Sequence, residues 1–316
     1  MSAGERLPGT MQPMHRWRGA GGLWIAGDAW GDPRHPLVIL LHGGGQTRHA
    51  WKGTGRALGA AGYHAVAFDA RGHGDSEWAN DGMYSQDVTV QDLRCVVQAL
   101  GDGPCILVGA SMGGGTSLVA AAERSVGARA LVLVDIAPRI ETKGIEHIRA
   151  FMRRNPDGFA SLEEVADAIA SYQPHRARPA NLLGLAKNVR QRANGRLYWH
   201  WDPRFLLGHR DLVRRQQRLE ECARALTIPT LLVRGAHSDV LSDEGVAQFK
   251  ALAPHSEFVS IASAGHMVAG DRNDAFGDAV LEFLGRTLPS GARAGDRLQP
   301  AQGHRVRQYP DLEDIP

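Results

Sequence analysis

The sequence predicts an α/β fold in which a mostly parallel, doubly wound sheet carries a helical cap. Three observations predict it. Short, wholly apolar runs alternate with helix-forming segments, glycine-rich or polar loops follow those runs, and the alternation is interrupted once, between residues 139 and 226. At 316 residues the chain is long enough for one domain with an insertion.

The apolar runs define the strands. The clearest is Leu37–Leu41, whose continuous hydrophobicity is typical of a strand buried on both faces of a parallel sheet. A helix is predicted after it, over 47–61, and apolar residues at helical spacing predict another over 86–100. Residues 23–30 could form a first strand or a hairpin arm. The other predicted strands are 64–68, 104–108, 130–134, 230–233 and 257–261, and a final helix spans 275–284.

The sheet pattern stops after Pro138 and resumes at Thr230. Residues 21–138 and 227–288 are therefore assigned to the core, and 139–226 to a helical cap over the C-terminal edge of the sheet. Residues 1–20 are expected to be a loose leader, and 289–316, rich in Gly, Pro, Arg and Asp, a disordered tail. Within the cap, helices are predicted over 144–154, 161–171, 179–190 and 208–225.

A Gly-x-Ser-x-Gly motif, Gly109–Gly113, follows the strand 104–108 and precedes a helix-forming segment. This is the pattern of a nucleophile elbow, a sharp strand-to-helix turn that exposes a serine hydroxyl above the sheet. The strained turn leaves no room for side chains two residues away, which explains the glycines. Ser111 is therefore the candidate nucleophile.

A serine nucleophile needs a base, and the base needs a carboxylate to orient it. In this architecture the order along the chain is serine, acid, histidine, each after a strand. Asp239 follows the strand 230–233 and His266 follows the strand 257–261, so the predicted triad is Ser111, Asp239 and His266. Asp135, at the end of the strand 130–134, is a rival acid that chain order disfavours. Asp239 could instead cap the helix that starts near Ser242.

Two backbone N–H groups usually stabilise the negative charge that develops on an attacked carbonyl. We expect them from Met112, which begins the elbow helix, and from Gly44, where the bare His42–Gly45 loop can approach a substrate. A tight turn alone would also explain the glycines, and the two interpretations are compatible. The 14 histidines show no ligand spacing, so no metal site is predicted, and the predicted triad chemistry needs no cofactor.

Together, these elements resemble the α/β-hydrolase superfamily, specifically its cap-bearing branch, over about residues 23–288. The elements are His42–Gly45, Asp69–Ser76, Gly109–Gly113, and the late Asp239 with Gly265-His266. The second element is similar to that of epoxide hydrolases and haloalkane dehalogenases, but those enzymes carry aspartate where this chain has Ser111. The serine favours acyl chemistry. The run that starts Ser111-Met112-Gly113 is similar to that of cofactor-free haloperoxidases, which are esterase-like.

The resemblance implies a serine hydrolase that cleaves a carboxylic ester or lactone through an acyl-enzyme. The alternatives within the enzyme class are a carbon–carbon bond hydrolase of the diketone-cleaving type and a perhydrolase, which use the same residues. A non-catalytic ligand-binding protein of this fold is disfavoured, because such proteins commonly lose a triad member and this chain has every required residue.

Composition indicates an ordinary globular protein, with 43% hydrophobic residues, 22% charged residues and a net charge of +2. No run reaches the length of a membrane span, and the N-terminus lacks a signal-peptide pattern. The three widely spaced cysteines are expected to be reduced, two of them in the core. We expect a cytoplasmic protein with a small-molecule ester or lactone as partner and neither nucleic acid nor membrane. A homodimer is left open.

Two features of the cap have alternative interpretations. Between Tyr172 and Arg218 there are eleven basic residues and two acidic ones. The excess could attract an anionic substrate, although a solvated helix face is the more frequent explanation. The aromatic run Tyr198–Trp201 could line a pocket or anchor the cap to the sheet.

Overall fold

The computed structural model describes residues 3–173, 178, 182–207, 211–268, 273–289 and 306–309. Its strands are β1 (His15–Arg18), β2 (Trp24–Trp30), β3 (Leu37–Leu41), β4 (His64–Phe68), β5 (Cys105–Ala110), β6 (Ala128–Val134), β7 (Val189–Gln191), β8 (Leu197–Trp199), β9 (Thr230–Gly235), β10 (Glu257–Ile261) and β11 (Val306–Tyr309). Its α-helices are α1 (Lys52–Ala60), α2 (Gln86–Ala99), α3 (Met112–Ala122), α4 (Thr142–Arg153), α5 (Leu162–Tyr172), α6 (Leu212–Ala225), α7 (Asp243–Leu252) and α8 (Asn273–Thr287).

Nine of the described strands form one sheet, in the order β1-β2-β4-β3-β5-β6-β9-β10-β11. Strand β2 pairs antiparallel with β1 and β4, and every pair from β4 to β11 is parallel. The predicted doubly wound, mostly parallel sheet is confirmed. Because parallel strands end at the same edge, the loops after β3, β5, β6, β9 and β10 meet there.

Helices cover the sheet on both faces. This explains why the apolar run of strand β3 is continuous, since its side chains are buried on both sides of the sheet. Ile39 and Leu41 pack into one core layer with α2, α3, α6 and α7. Val38 and Leu40 pack into the opposite layer with α1 and α8. Each fully buried side chain of this size contributes about 1.5–3 kcal/mol to the stability of the folded state. The strands therefore hold the site loops on a rigid base.

The expected loose leader is partly ordered. His15–Arg18 forms the edge strand β1, which pairs with β2. Glu5 forms an antiparallel bridge with Gln191 of the insertion, with both N–H···O distances at 2.8 Å. The sequence did not predict β1, because four residues are too few for a pattern of polar and apolar residues to indicate a strand. The pairing of such a strand depends on tertiary contacts.

The insertion differs from the helical cap that the sequence predicts. Helices α4 and α5 lie near their predicted positions. The segment 179–190, predicted as a helix, instead contains a 3₁₀-helix (Leu182–Asn188) and the start of strand β7. The first three residues of that segment lie outside the described residues. β7 and β8 form a separate antiparallel hairpin. Helix α6, predicted as the last cap helix, instead belongs to the sheet-covering layer, since Leu219, Cys222 and Ala223 are buried in the core cluster of α3.

Part of the expected disordered tail forms a strand. Val306–Tyr309 pairs in parallel with β10, and the rest of 290–316 lies outside the described residues. Among the described helices, none combines the length and hydrophobicity needed to cross a membrane. The three cysteines are free, with Cys105 and Cys222 buried as predicted.

Candidate active site

Ser111 lies at the junction of β5 and α3 with φ 47° and ψ −111°, a conformation that costs a non-glycine residue about 1–3 kcal/mol. The two flanking glycines of the motif permit the turn. A Cβ on Gly109 would lie 2.5 Å from the Gly113 carbonyl oxygen, and one on Gly113 would lie 2.4 Å from the Leu41 carbonyl oxygen. The strand, the helix and the neighbouring loop therefore pack without side chains between them.

His266 lies in the loop after β10, where its ring meets an aspartate. Its Nδ1 is 2.6 Å from Oδ2 of Asp135, the residue that follows β6. Asp135 is fully buried and also accepts hydrogen bonds from the Gly235 N–H, at 3.1 Å, and from the Ser238 hydroxyl. A carboxylate held in this way fixes the ring orientation and keeps a proton on Nδ1, which leaves Nε2 as the basic nitrogen.

The predicted acid, Asp239, does not contact His266. Its side chain is 54% exposed, and its carboxylate is 3.4 Å from Nδ1 of His147 on α4. The rival, Asp135, takes the position beside His266. The reason lies in the turn after β9, because the Ser238 hydroxyl binds Asp135 and accepts the N–H groups of Val240 and Leu241, a turn that leaves Asp239 facing outward.

The loop after β3 is fixed by its own side chains. The Nε2 of His42 accepts the Ala70 N–H at 2.9 Å, so Nδ1 carries the proton and donates to the Gly43 carbonyl at 2.8 Å. Burial lowers the pKa of His42, which favours this neutral tautomer. The Gln46 side chain accepts the Gly43 N–H at 2.9 Å. These contacts hold the predicted oxyanion loop in one conformation.

The backbone around Gly44 and Met112 lines the same cavity as Ser111 and His266. Within the described part of the chain, neither backbone N–H has a hydrogen-bond acceptor. Met112 is the first residue of α3, where helix N–H groups are normally free to bind a ligand. Both predicted donors are therefore available beside the candidate nucleophile.

The motif Asp69–Ser76, singled out in the sequence, forms the supporting structure of this edge. Arg48 is fully buried and pairs with Asp28, Asp69 and Asp75. Although burial raises the pKa of Asp69, the Arg48 guanidinium lowers it to about 2. Arg190 of the insertion pairs with Asp75 at 2.8 Å, so the same cluster ties the insertion to the core.

A cavity of about 630 Å³ lies between the strand ends and the insertion. Trp199 and Trp201, stacked with ring centroids 4.9 Å apart, line it. His200 between them is fully buried, accepts the Gly74 N–H at 2.8 Å and lies 3.2 Å from the Gly45 carbonyl. The aromatic run therefore has both predicted roles, since its tryptophans line the pocket and its histidine anchors the insertion.

Sequence reasoning missed Ser238, whose hydroxyl orients Asp135. It counted Arg215 only as one of the eleven basic residues between Tyr172 and Arg218, and the structure places Arg215 at the cavity, reaching it from α6. A serine three residues after the end of β9 was the available signal for Ser238. No group of three or more His, Cys, Asp or Glu side chains arranged to bind a metal ion occurs among the described residues.

Comparison with known proteins gives consistent results. Residues 36–272 match the family model described as alpha/beta hydrolase fold. An esterase of Mycobacterium tuberculosis is 32% identical over 81% of this chain and 84% of its own length. An sn-1-specific diacylglycerol lipase of Mus musculus is 29% identical over 80% of this chain and 82% of its own length.

Solved structures have the same architecture. A Mycobacterium tuberculosis esterase matches with a TM-score of 0.66 and 30% identity, over 88% of this chain and 92% of that one. An E-2-(acetamidomethylene)succinate hydrolase matches with a TM-score of 0.74 and 24% identity, over 85% of this chain and 98% of that one, a likeness of fold alone.

Proposed function

Since the chain belongs to the α/β-hydrolase fold family, we propose that it is a serine hydrolase acting on carboxylic esters, with lactones as cyclic members of that class. Ser111 is the nucleophile, His266 the general base and Asp135 the acid that orients it. The observation that carries the proposal is the 2.6 Å contact between His266 and Asp135 at the cavity into which the strained Ser111 turn opens.

The proposed reaction begins when the Ser111 hydroxyl attacks the ester carbonyl and its proton passes to Nε2 of His266. Asp135 stabilises the imidazolium that forms. The N–H groups of Gly44 and Met112 bind the oxyanion of the tetrahedral intermediate. When this collapses, His266 returns the proton to the departing alcohol, and an acyl-enzyme remains. A water deprotonated by His266 then releases the acid and restores Ser111.

Relatives named as an esterase and a diacylglycerol lipase support ester chemistry over the other acyl reactions of this constellation. The largely apolar cavity walls, which include Phe151, Trp199 and Trp201, suit an apolar acyl or alcohol chain.

A p-nitrophenyl ester series from acetate to decanoate, assayed with the wild-type protein and Ser111→Ala, tests the proposal. Intact-mass detection of an organophosphate adduct is recorded for both proteins. We expect turnover and labelling that disappear together in the variant, and a chain-length optimum that reports the accessible cavity. Absence of both signals in the wild-type protein, or turnover that survives in Ser111→Ala, would contradict the proposal.

A further inference from the structure

The charged side chains that line the cavity are unbalanced. Beside the histidines, the lining includes the cationic residues Arg149, Lys187 and Arg215, and no carboxylate among the described residues. An apolar cavity with only cationic charges favours an anionic ligand, because its low polarity weakens screening by water.

Arg215 lies against α3, the helix that Ser111 precedes. Its Nη2 is 3.1 Å from the point where a Cβ on Gly115 would lie, so the missing side chain of Gly115 makes room for the guanidinium. The Gly115 N–H donates to the Ser111 carbonyl at 3.0 Å, which puts Gly115 one turn after Ser111. The guanidinium thus lies beside the first turn of the elbow helix.

Two other arginines of this region, Arg218 and Arg190, form ion pairs, whereas no ion pair of Arg215 occurs within the part of the chain that the structure describes. Arg218, one turn later on α6, binds Asp87 and Glu123, and Arg190 binds Asp75. Within the described residues no carboxylate lies within 4 Å of Arg215. Burial lowers the pKa of its guanidinium, yet an arginine remains charged at neutral pH. Even a partly buried cation without a partner is costly unless a ligand supplies the anion.

We propose that Arg215 binds a carboxylate carried by the substrate, so that the enzyme prefers esters with a second, ionised carboxyl group about one helical turn from the scissile carbonyl. This inference rests on the proposed esterase function. The planar guanidinium offers two parallel N–H groups to a carboxylate, a geometry that lysine does not provide. A separation of about 5.4 Å corresponds to an acid chain of roughly five or six carbons.

Matched esters test the inference. Monoethyl adipate and ethyl hexanoate share chain length and leaving group and differ by the carboxylate on the acyl side. 4-Acetoxybutanoate and butyl acetate form the corresponding pair with the carboxylate on the alcohol side, at the same number of bonds from the scissile carbonyl as in monoethyl adipate. Each is assayed with the wild-type protein, Arg215→Gln, Arg215→Lys, Lys187→Gln and Arg214→Gln. Arg214 is the matched control because it is exposed and adjacent on the same helix.

We expect Arg215→Gln to lower kcat/KM for the anionic ester of one pair by about 50-fold, chiefly through KM, and that of its neutral partner by less than about 3-fold. Arg215→Lys restores part of the loss, and Arg214→Gln changes neither. The affected pair identifies the side of the scissile bond that Arg215 serves. Equal losses for anionic and neutral esters, or a selective loss in Lys187→Gln alone, would overturn the inference.

A binding measurement separates this inference from the proposed function. Adipate is titrated calorimetrically into Ser111→Ala and into the same variant carrying Arg215→Gln or Arg214→Gln, with thermal melting as the check of folding. The inference predicts binding that weakens at least about 10-fold with Arg215→Gln only. If Arg215→Gln weakens adipate binding as predicted but no ester is hydrolysed, only the esterase function is contradicted. If esters are hydrolysed but Arg215→Gln leaves adipate binding unchanged, only the inference about Arg215 is contradicted.

Discussion

Two aspartates follow neighbouring strands of the sheet, and their surroundings are opposite. Asp135, after β6, is fully buried and accepts hydrogen bonds from His266, Ser238 and Gly235. Asp239, after β9, is 54% exposed and lies 3.4 Å from the half-exposed His147. Solvent weakens the second contact, while burial strengthens the first. The comparison teaches that position after a strand is not sufficient to identify the acid that pairs with the histidine, since the turn that follows the strand decides which carboxylate faces inward.

The largest expected effect is that of Asp135→Asn. An amide can accept the Nδ1 proton poorly and can favour the wrong tautomer of His266, so kcat/KM for a p-nitrophenyl ester should fall by about 10³–10⁴-fold. Steady-state kinetics at pH 7.5 measure it, with circular dichroism as the folding control. A loss below 10-fold would remove the functional distinction between the two aspartates.

The pH dependence of the free energy of unfolding tests the effect of burial on a second titratable side chain, His49. Burial and the Arg48 guanidinium lower the pKa of His49 to about 4. The unfolded chain protonates His49 near pH 6.5, and the folded chain protonates it only near pH 4. The free energy of unfolding therefore decreases as the pH is lowered from 6.5 to 4. The contribution is about 1.4 kcal/mol per pH unit. Urea unfolding should show a shallower pH slope in His49→Gln than in the wild-type protein, and equal slopes would contradict this expectation.

Ser238→Ala should have a smaller effect on activity. The variant removes one hydrogen bond to Asp135 and the acceptor of the Val240 and Leu241 N–H groups, and it leaves the His266 contact in place. We expect kcat/KM to fall by about 10-fold, which corresponds to the loss of one charge-assisted hydrogen bond. Ser242→Ala, which removes the cap of α7 in the same loop region, is the control and should alter thermal stability rather than kcat/KM.

Asp239→Asn should have the smallest effect. The carboxylate is half exposed and contacts only His147 among the described residues. We therefore expect kcat/KM to stay within about 2-fold of the wild-type value, and the melting temperature to stay within about 2 °C. A loss comparable to that of Asp135→Asn would show that the outward-facing loop rearranges when substrate binds.

Strand positions, the elbow and the histidine loop were predictable because each follows from a local pattern. The continuous run Leu37–Leu41 indicates burial on both faces, and Gly109 and Gly113 indicate the close approach at Ser111. The choice between the aspartates was not local, since it depends on how Ser238 bonds across two strands. The role of Arg215 was equally hidden, because only tertiary structure shows that Arg218 and Arg190 have carboxylate partners while Arg215 has none among the described residues.

The most direct test of this account is the rate at which a fluorophosphonate modifies Ser111, measured by intact mass over time in the wild-type protein, Asp135→Asn, Asp239→Asn and Ser111→Ala. The rate reports activation of the nucleophile without any assumption about substrate. The account predicts wild-type labelling in Asp239→Asn, labelling slowed by more than about 100-fold in Asp135→Asn, and none in Ser111→Ala. Slow labelling in Asp239→Asn together with rapid labelling in Asp135→Asn would contradict it.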